Sequence, residues 1–208
     1  SKKIREAETA KAIENTQRDL NIALFNEILI LSKKMNLNFN EIIKLAATKW
    51  NFIKFQPGLV GGHCLPVDPY YLSYIAKKNK FTTNTLLSGR STNNNMMNYV
   101  ISEILRCIKK NKLNKKAKIL ILGISYKYGV SDLRNSLGLE IFKKIKKKYK
   151  NTLFYDPFVS LKNKYTNIKK LKNFKLIVFL SSGKKYNPVF KQSVKSKLLI
   201  LDPFSYYS

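Results

Sequence analysis

The sequence predicts a helical region over residues 1–114, followed by an α/β region with a parallel sheet over residues 115–208. Two observations carry this division. Apolar residues recur at spacings of three and four through the first half, and after Lys116 they gather in short continuous runs. Those runs alternate with helical stretches, the pattern of parallel strands joined by crossovers. With 208 residues the chain can bury a core.

Residues 4–34 read as one long helix. Ala7, Ala10, Ile13, Leu20, Ala23, Leu24, Ile28 and Leu31 form its apolar stripe, widened by Ile22, Phe25 and Leu29. A helix of about 30 residues is about 45 Å long. One small domain cannot cover that length, so a partner surface is expected along it. Asn38–Thr48 reads as a shorter helix, with Asn38 as N-cap and Glu41 completing a capping box. From Trp50 to Asp68 no period holds, and Pro57, Gly58, Gly61, Gly62 and Pro66 mark a structured loop. Asp68 and Pro69 then suit the N-cap and first position of a helix running to Lys78. A further helix is expected over Asn93–Lys112. The second region reads as a strand at Lys118–Ile124, a helix at Asn135–Lys148, and strands at Thr152–Tyr155, Lys175–Leu180 and Lys197–Leu201. Gly123–Arg134 falls at the carboxyl end of the first strand, where parallel sheets bind ligands.

The formal charge is +28, which raises nucleic-acid binding as an alternative. Nearly all of the basic residues are Lys, however, with Arg only at 5, 18, 90, 106 and 134, and Asn and Ile are abundant as well. AT-rich codons produce that composition without selection for a ligand, and base readers favour the Arg fork. We therefore expect no nucleic-acid partner. No apolar run reaches the roughly 18 residues of a spanning helix, and no signal peptide is expected, because the first residues have no apolar stretch behind their charges. With two cysteines and no disulfide framework, a cytoplasmic setting is expected.

Cys64 carries the chemistry. It follows Pro57-Gly58-Leu59-Val60-Gly61-Gly62-His63 and stands just before a helix start. The glycines allow close backbone approach to a ligand, and a cysteine so placed can meet a substrate as a thiolate. Cys107, inside a helix with no glycine nearby, reads as a small buried hydrophobe. A zinc site needs about four ligands, and one His with two Cys cannot supply them, so no metal is expected. His63 is the only histidine, and a sequence neighbour seldom has the geometry of a cysteine-protease base.

The segment from Lys49 to Leu72, centred on Gly61-Gly62-His63-Cys64-Leu65-Pro66-Val67-Asp68-Pro69, resembles the active-site segment of the UDP-glucose/GDP-mannose dehydrogenase family. Three more segments match in family order. Ala7–Ala23 resembles the central helix, Gly89-Arg90-Ser91-Thr92-Asn93-Asn94-Asn95-Met96 a signature of the next one, and Gly123–Lys127 with Ser131–Ser136 the nucleotide-binding loop. The resemblance implies an α-helical central dimerisation domain followed by an α/β Rossmann-like, parallel-sheet UDP-binding domain. It also implies a homodimer through the long helix.

The implied reaction oxidises the C6 alcohol of a UDP-hexose to a carboxylate, reducing two NAD in turn. Cys64 would carry a thiohemiacetal and then a thioester. Lys11 and Asn15, four apart on one helix face, would converge on the C6 oxygen, and Asp68 would handle water or a proton. Tyr126, Lys127 and Arg134 match loop positions that contact or support the UDP diphosphate. Phe52, Phe55, Gly58 and Gly61 match the loop along the sugar and uridine. Taken without the resemblance, Lys11 is a solvated lysine, Asn15 a surface amide and Asp68 a cap. Lys127 and Arg134 are then solvated strand-end charges, and the two phenylalanines are core.

Trp50-Asn51-Phe52 and the His63 and Val67 positions resemble the bacterial branch acting on UDP-N-acetylglucosamine or UDP-N-acetylgalactosamine. That branch serves capsule and O-antigen polymers. The sequence departs from the family in three ways. No Gly-x-Gly-x-x-Gly is present, so the NAD-binding domain is expected before Ser1 and this chain alone is expected to be inactive. Pro203-Phe204 follows Asp202 where a basic substrate contact is usual. The lysine enrichment leaves a degraded or split gene, binding UDP-sugar without catalysis, as a second reading.

Overall fold

The computed structural model describes residues 3–207. It forms two compact units, Ser1–Met96 and Met97–Ser208.

The first unit is helical. Helix α1 (Ile4–Lys34) is uninterrupted, with Glu6 in its first turn and Lys33 and Lys34 in its last, both favourable for the helix dipole. Its buried side comprises Ala12, Asn15, Thr16, Asp19, Ala23, Phe25, Asn26, Leu29 and Ser32. Of the expected apolar face, Ala23, Phe25 and Leu29 lie on this side. Ile13, Leu24 and Leu31 from the expected stripe are 51–56% exposed, because the intrachain face is held by polar groups that find partners there. Helix α2 (Phe39–Ala46) buries Phe39 and Ile43 and is capped by the Asn38 carboxamide, which accepts from Asn40 N and Glu41 N. Helix α3 (Asp68–Lys78) starts one residue earlier in register than expected. Val67 occupies the cap, and the Asp68 carboxylate is free to bond elsewhere. Helix α4 (Asn84–Lys110) begins nine residues before the apolar period does. Its opening residues Asn84, Thr85 and Ser88 are polar and exposed, and Arg90 is the one buried side chain before Asn93, so a hydrophobic pattern does not register them. The boundary between units falls within α4, whose buried residues include Met96, Val100, Ile104 and Ile108 at spacings of four.

The second unit contains a four-stranded, all-parallel sheet in the order β2-β1-β3-β4. Its strands are β1 (Ile119–Leu122), β2 (Thr152–Tyr155), β3 (Leu176–Phe179) and β4 (Ile200–Leu201), with α5 (Leu137–Lys148) and α6 (Asn187–Lys195). The central strands β1 and β3 are buried along their whole length, as expected of strands covered on both faces. Helix α6 is absent from the sequence reading. Its one fully apolar turn, Val189-Phe190, is too short to show a period, and only the sheet makes it worth burying. The chain leaves β1 toward β2 on one side and returns past it to β3 on the other. That reversal places the topological switch point, where ligands bind, at the carboxyl ends of β1 and β3.

Candidate active site

The loop after α2 has extended backbone with no strand partner. Two anchors hold it. At Gly58 the Asn26 carboxamide forms a two-sided clamp: its Oδ1 accepts from Gly58 N at 2.9 Å, and its Nδ2 donates to Gly58 O at 3.0 Å. At Cys64 the carbonyl accepts from Val67 N (3.0 Å) and Asp68 N (2.9 Å), fastening it to the first turn of α3. Between the anchors Val60 and Gly62 are buried, and Gly62 has φ +85°, which excludes most side chains. The chain surfaces at His63 and Cys64, both exposed, and Cys64 is a free thiol at the head of a helix.

Asn15 and Asp68 meet directly. Asn15 Nδ2 donates to Asp68 Oδ2 at 2.6 Å, joining α1 to the first residue of α3. Asn15 is 2% exposed, so the surface-amide reading fails for it. Asp68 is half-buried, and its carboxylate serves this contact in place of capping its own helix. Lys11, one turn before Asn15, is exposed and faces Glu14 at 3.5 Å; the structure does not bring it into the Asn15–Asp68 contact. Phe52 and Phe55 are half-buried and both pack on the buried ring of Phe25, with centroids at 6.1 and 6.2 Å. Gly61 is half-buried within the loop.

A buried polar network lies behind the loop, and no sequence motif identifies it as a unit. Asn26 Nδ2 also donates to Asn93 Oδ1 (2.9 Å), and Asn93 Nδ2 donates to Asp19 Oδ1 (2.7 Å) and Asp19 O (2.9 Å). Asp19 is ion-paired with Arg90, whose Nη2 donates to Asn94 Oδ1 at 2.7 Å. Asn94 Nδ2 donates to Tyr70 Oη on α3 at 3.1 Å. Asp19, Asn26 and Asn93 are fully buried and Arg90 is 1% exposed. Burial pushes the Asp19 carboxyl upward, and the Arg90 guanidinium and Asn93 amide oppose that shift. The available signal is the spacing of Asn15, Asp19 and Asn26, which puts three polar residues on the α1 face opposite its apolar stripe.

In the second unit the loop after β1 folds around Asp156 at the end of β2. Asp156 Oδ2 accepts from Ile124 N, Ser125 N and Ser125 Oγ, each at 3.0 Å, and Oδ1 accepts from Phe158 N at 3.1 Å. Gly123 has φ +83°, and a Cβ there would lie 2.4 Å from Ser181 Cβ, so the loops after β1 and β3 touch at the switch point. Tyr126 is half-buried and Lys127 exposed. Arg134 is exposed and makes a bidentate pair with Asp132 inside the loop, through Nε (3.1 Å) and Nη2 (2.7 Å). Cys107 is half-buried, with its thiol raised by burial and by Glu103; the small-hydrophobe reading holds only in part. Among the described residues no group of three His, Cys, Asp or Glu could hold a metal ion. Among them, too, no helix is long and apolar enough to cross a membrane.

Residues 5–95 match the central domain, and residues 120–207 the UDP-binding domain, of the UDP-glucose/GDP-mannose dehydrogenase family. The chain is 42% identical over 158 residues to UDP-N-acetyl-D-glucosamine 6-dehydrogenase of Pseudomonas aeruginosa, covering 76% of this chain and 37% of that protein. It is 44% identical over 144 residues to Protein CapL of Staphylococcus aureus, covering 69% and 34%. Its fold superposes on UDP-D-ManNAc dehydrogenase from Pyrococcus horikoshii with a TM-score of 0.83 at 31% identity, over 98% of this chain and 49% of that one. The chain thus spans little more than a third of the length of these curated relatives.

Proposed function

We propose a function from one premise: the chain belongs to the UDP-glucose/GDP-mannose dehydrogenase family, represented here by its central and UDP-binding domains. It is the part of a nucleotide-sugar 6-dehydrogenase that binds the UDP-sugar and supplies the nucleophile. The observation that carries this reading is Cys64, exposed at the head of α3, with the Asn15–Asp68 pair at the same helix start.

Family membership implies NAD, which when bound would supply the acceptor for the two hydrides that C6 loses, one between alcohol and aldehyde and one between thiohemiacetal and thioester. The described residues do not fit it. The loop at residues 123–136 separates β1 from α5, where a dinucleotide fold has a tight glycine turn. Gly123 is closed against Ser181, so its backbone is not open to a dinucleotide at that turn. The roles below are therefore confined to this chain's own side chains.

Cys64 Sγ attacks the C6 aldehyde carbon; the S–C bond forms, and the carbonyl π electrons move to oxygen, which takes a proton. At the thioester stage water adds to C6 and the S–C bond breaks, returning the thiol and releasing the carboxylate. We assign Asp68 to the proton of that water, and Asn15 to orienting Asp68. Lys11 is assigned to the developing oxyanion, which requires its ammonium to leave Glu14. Lys127 and Arg134 are assigned to the UDP diphosphate, with Tyr126 supporting their loop. Arg134 would exchange Asp132 for phosphate, an exchange its exposure permits. Gly58, Gly61, Phe52 and Phe55 shape the sugar-side loop.

The substrate we favour is a UDP-N-acetylhexosamine, UDP-N-acetylglucosamine or UDP-N-acetylgalactosamine, for surface polysaccharide. In support, similar proteins carry names that include UDP-N-acetyl-D-glucosamine and UDP-N-acetyl-D-mannosamine. The test is NADH formation by the intact protein with UDP-N-acetylglucosamine, UDP-N-acetylgalactosamine and UDP-glucose side by side. Cys64→Ser should abolish acid formation while leaving UDP-sugar binding within about twofold, because it removes only the covalent step. Acid formation at the wild-type rate would overturn the nucleophile.

A further inference from the structure

We propose that Asn26 is a positioning residue for the Cys64 segment, held in register by the buried Arg90–Asp19 pair, which steadies the other end of the same segment as well. The inference rests on the nucleophile reading of Cys64 and adds a part that reading does not contain.

Asn26 uses its carboxamide fully. One oxygen and one N–H embrace both backbone polar groups of Gly58, and the second N–H goes to Asn93. Gly58 has no strand partner, so this side chain stands in for the neighbouring strand that would otherwise fix an extended backbone. Only a planar donor-acceptor amide can make both bonds, and Asn93 selects which way it faces. Asn93 is in turn oriented by Asp19, and Asp19 by Arg90.

Arg90 has a second arm. Its Nη2 bonds Asn94, and Asn94 bonds Tyr70 in the first turn of α3. That turn is where the Cys64 carbonyl is fastened. The seven residues from Gly58 to Cys64 are thus suspended between two anchors, and both anchors lead back to one buried guanidinium. A displacement at either end moves Sγ relative to the Asn15–Asp68 pair, and small misplacements of a reacting atom lower rate far more than affinity.

The test uses Asn26→Ala in the intact protein, with Ile43→Val and Ile43→Ala in the α2 core as controls bracketing its melting temperature. Two readouts are taken: kcat and KM with the UDP-sugar that turns over best, and the alkylation rate of Cys64 by iodoacetamide without substrate. The expected result is a fall in kcat of about tenfold or more with KM changed less than about threefold. The Cys64 alkylation rate should also change by at least about threefold, and neither should change in the Ile43 controls. Asn26→Asp, which keeps acceptance from Gly58 N but cannot donate to Gly58 O, should fall between wild type and Asn26→Ala. If Asn26→Ala does not fold, Asn93→Ala tests the same link one step back. Rates and alkylation in Asn26→Ala equal to those of the controls would overturn the proposal. If wild type oxidises no UDP-sugar while Asn26→Ala still alters Cys64 alkylation, the positioning stands and the dehydrogenase reading falls.

Discussion

Asp19 and Arg90 show how much one pair of residues can decide. Both are buried, and their charges neutralise each other inside a helical unit that has little other reason to hold them there. Removing one partner leaves the other charge uncompensated, which typically costs about 3–5 kcal/mol. Arg90→Met should therefore lower the unfolding free energy by about that amount in urea titration. Adding Asp19→Leu should recover part of it, because an apolar pair of similar volume can replace a buried ion pair. Recovery should be incomplete, since Asn93 and Asn94 would each lose a partner. A double variant less stable than Arg90→Met would contradict this account. At this scale the sequence is only half legible. Cys64 stands out because its glycine-rich surroundings are local. Asn15 and Asp68 stand out only through resemblance, because their contact joins residues 53 apart.

At the scale of elements, the strands are the most readable features; of the two expected caps, Asn38 serves as one and Asp68 does not. Thr152–Tyr155 agrees residue for residue, because an apolar run ended by Asp156-Pro157 leaves no other register. Helix starts are less readable. A polar opening, as in α4, resembles a loop, and the bonds to α1 come only further along, at Arg90, Thr92 and Asn93. The same holds for Asp156, whose carboxylate gathers three donors from the loop after β1. Asp156→Ala would leave the Ile124 and Ser125 amides unpaired in a buried site, each worth about 1–3 kcal/mol. We expect a loss of about 2–4 kcal/mol by urea unfolding. Faster hydrogen exchange should be confined to residues 123–136. Exchange that rises evenly across the second unit would argue against a local role.

For the whole molecule the open question is what covers α1. Ile13, Leu20, Leu24 and Leu31 follow one another at spacings of seven, four and seven, the seam of a helix that packs lengthwise on another. Ile13, Leu24 and Leu31 are more than half exposed in one chain. We expect a homodimer along this face. Leu24→Glu should shift light-scattering mass from dimer to monomer with little change in unfolding free energy of the monomer, because the site is exposed there. A wild-type monomer at moderate salt would refute the dimer.

The sequence by itself determined the succession of helices and strands apart from α6, the place of the exposed cysteine and the family. All three depend on residues close together in the chain, where spacing and composition act directly. Tertiary structure alone decided which face of α1 turns inward, and that Asn26 grips Gly58 across 32 residues of chain. It also decided that one buried Arg–Asp pair connects both ends of the cysteine segment. A polar side chain has no inherent preference for burial; it goes inside only where a partner from elsewhere in the chain completes its hydrogen bonds, and no local pattern records that partner.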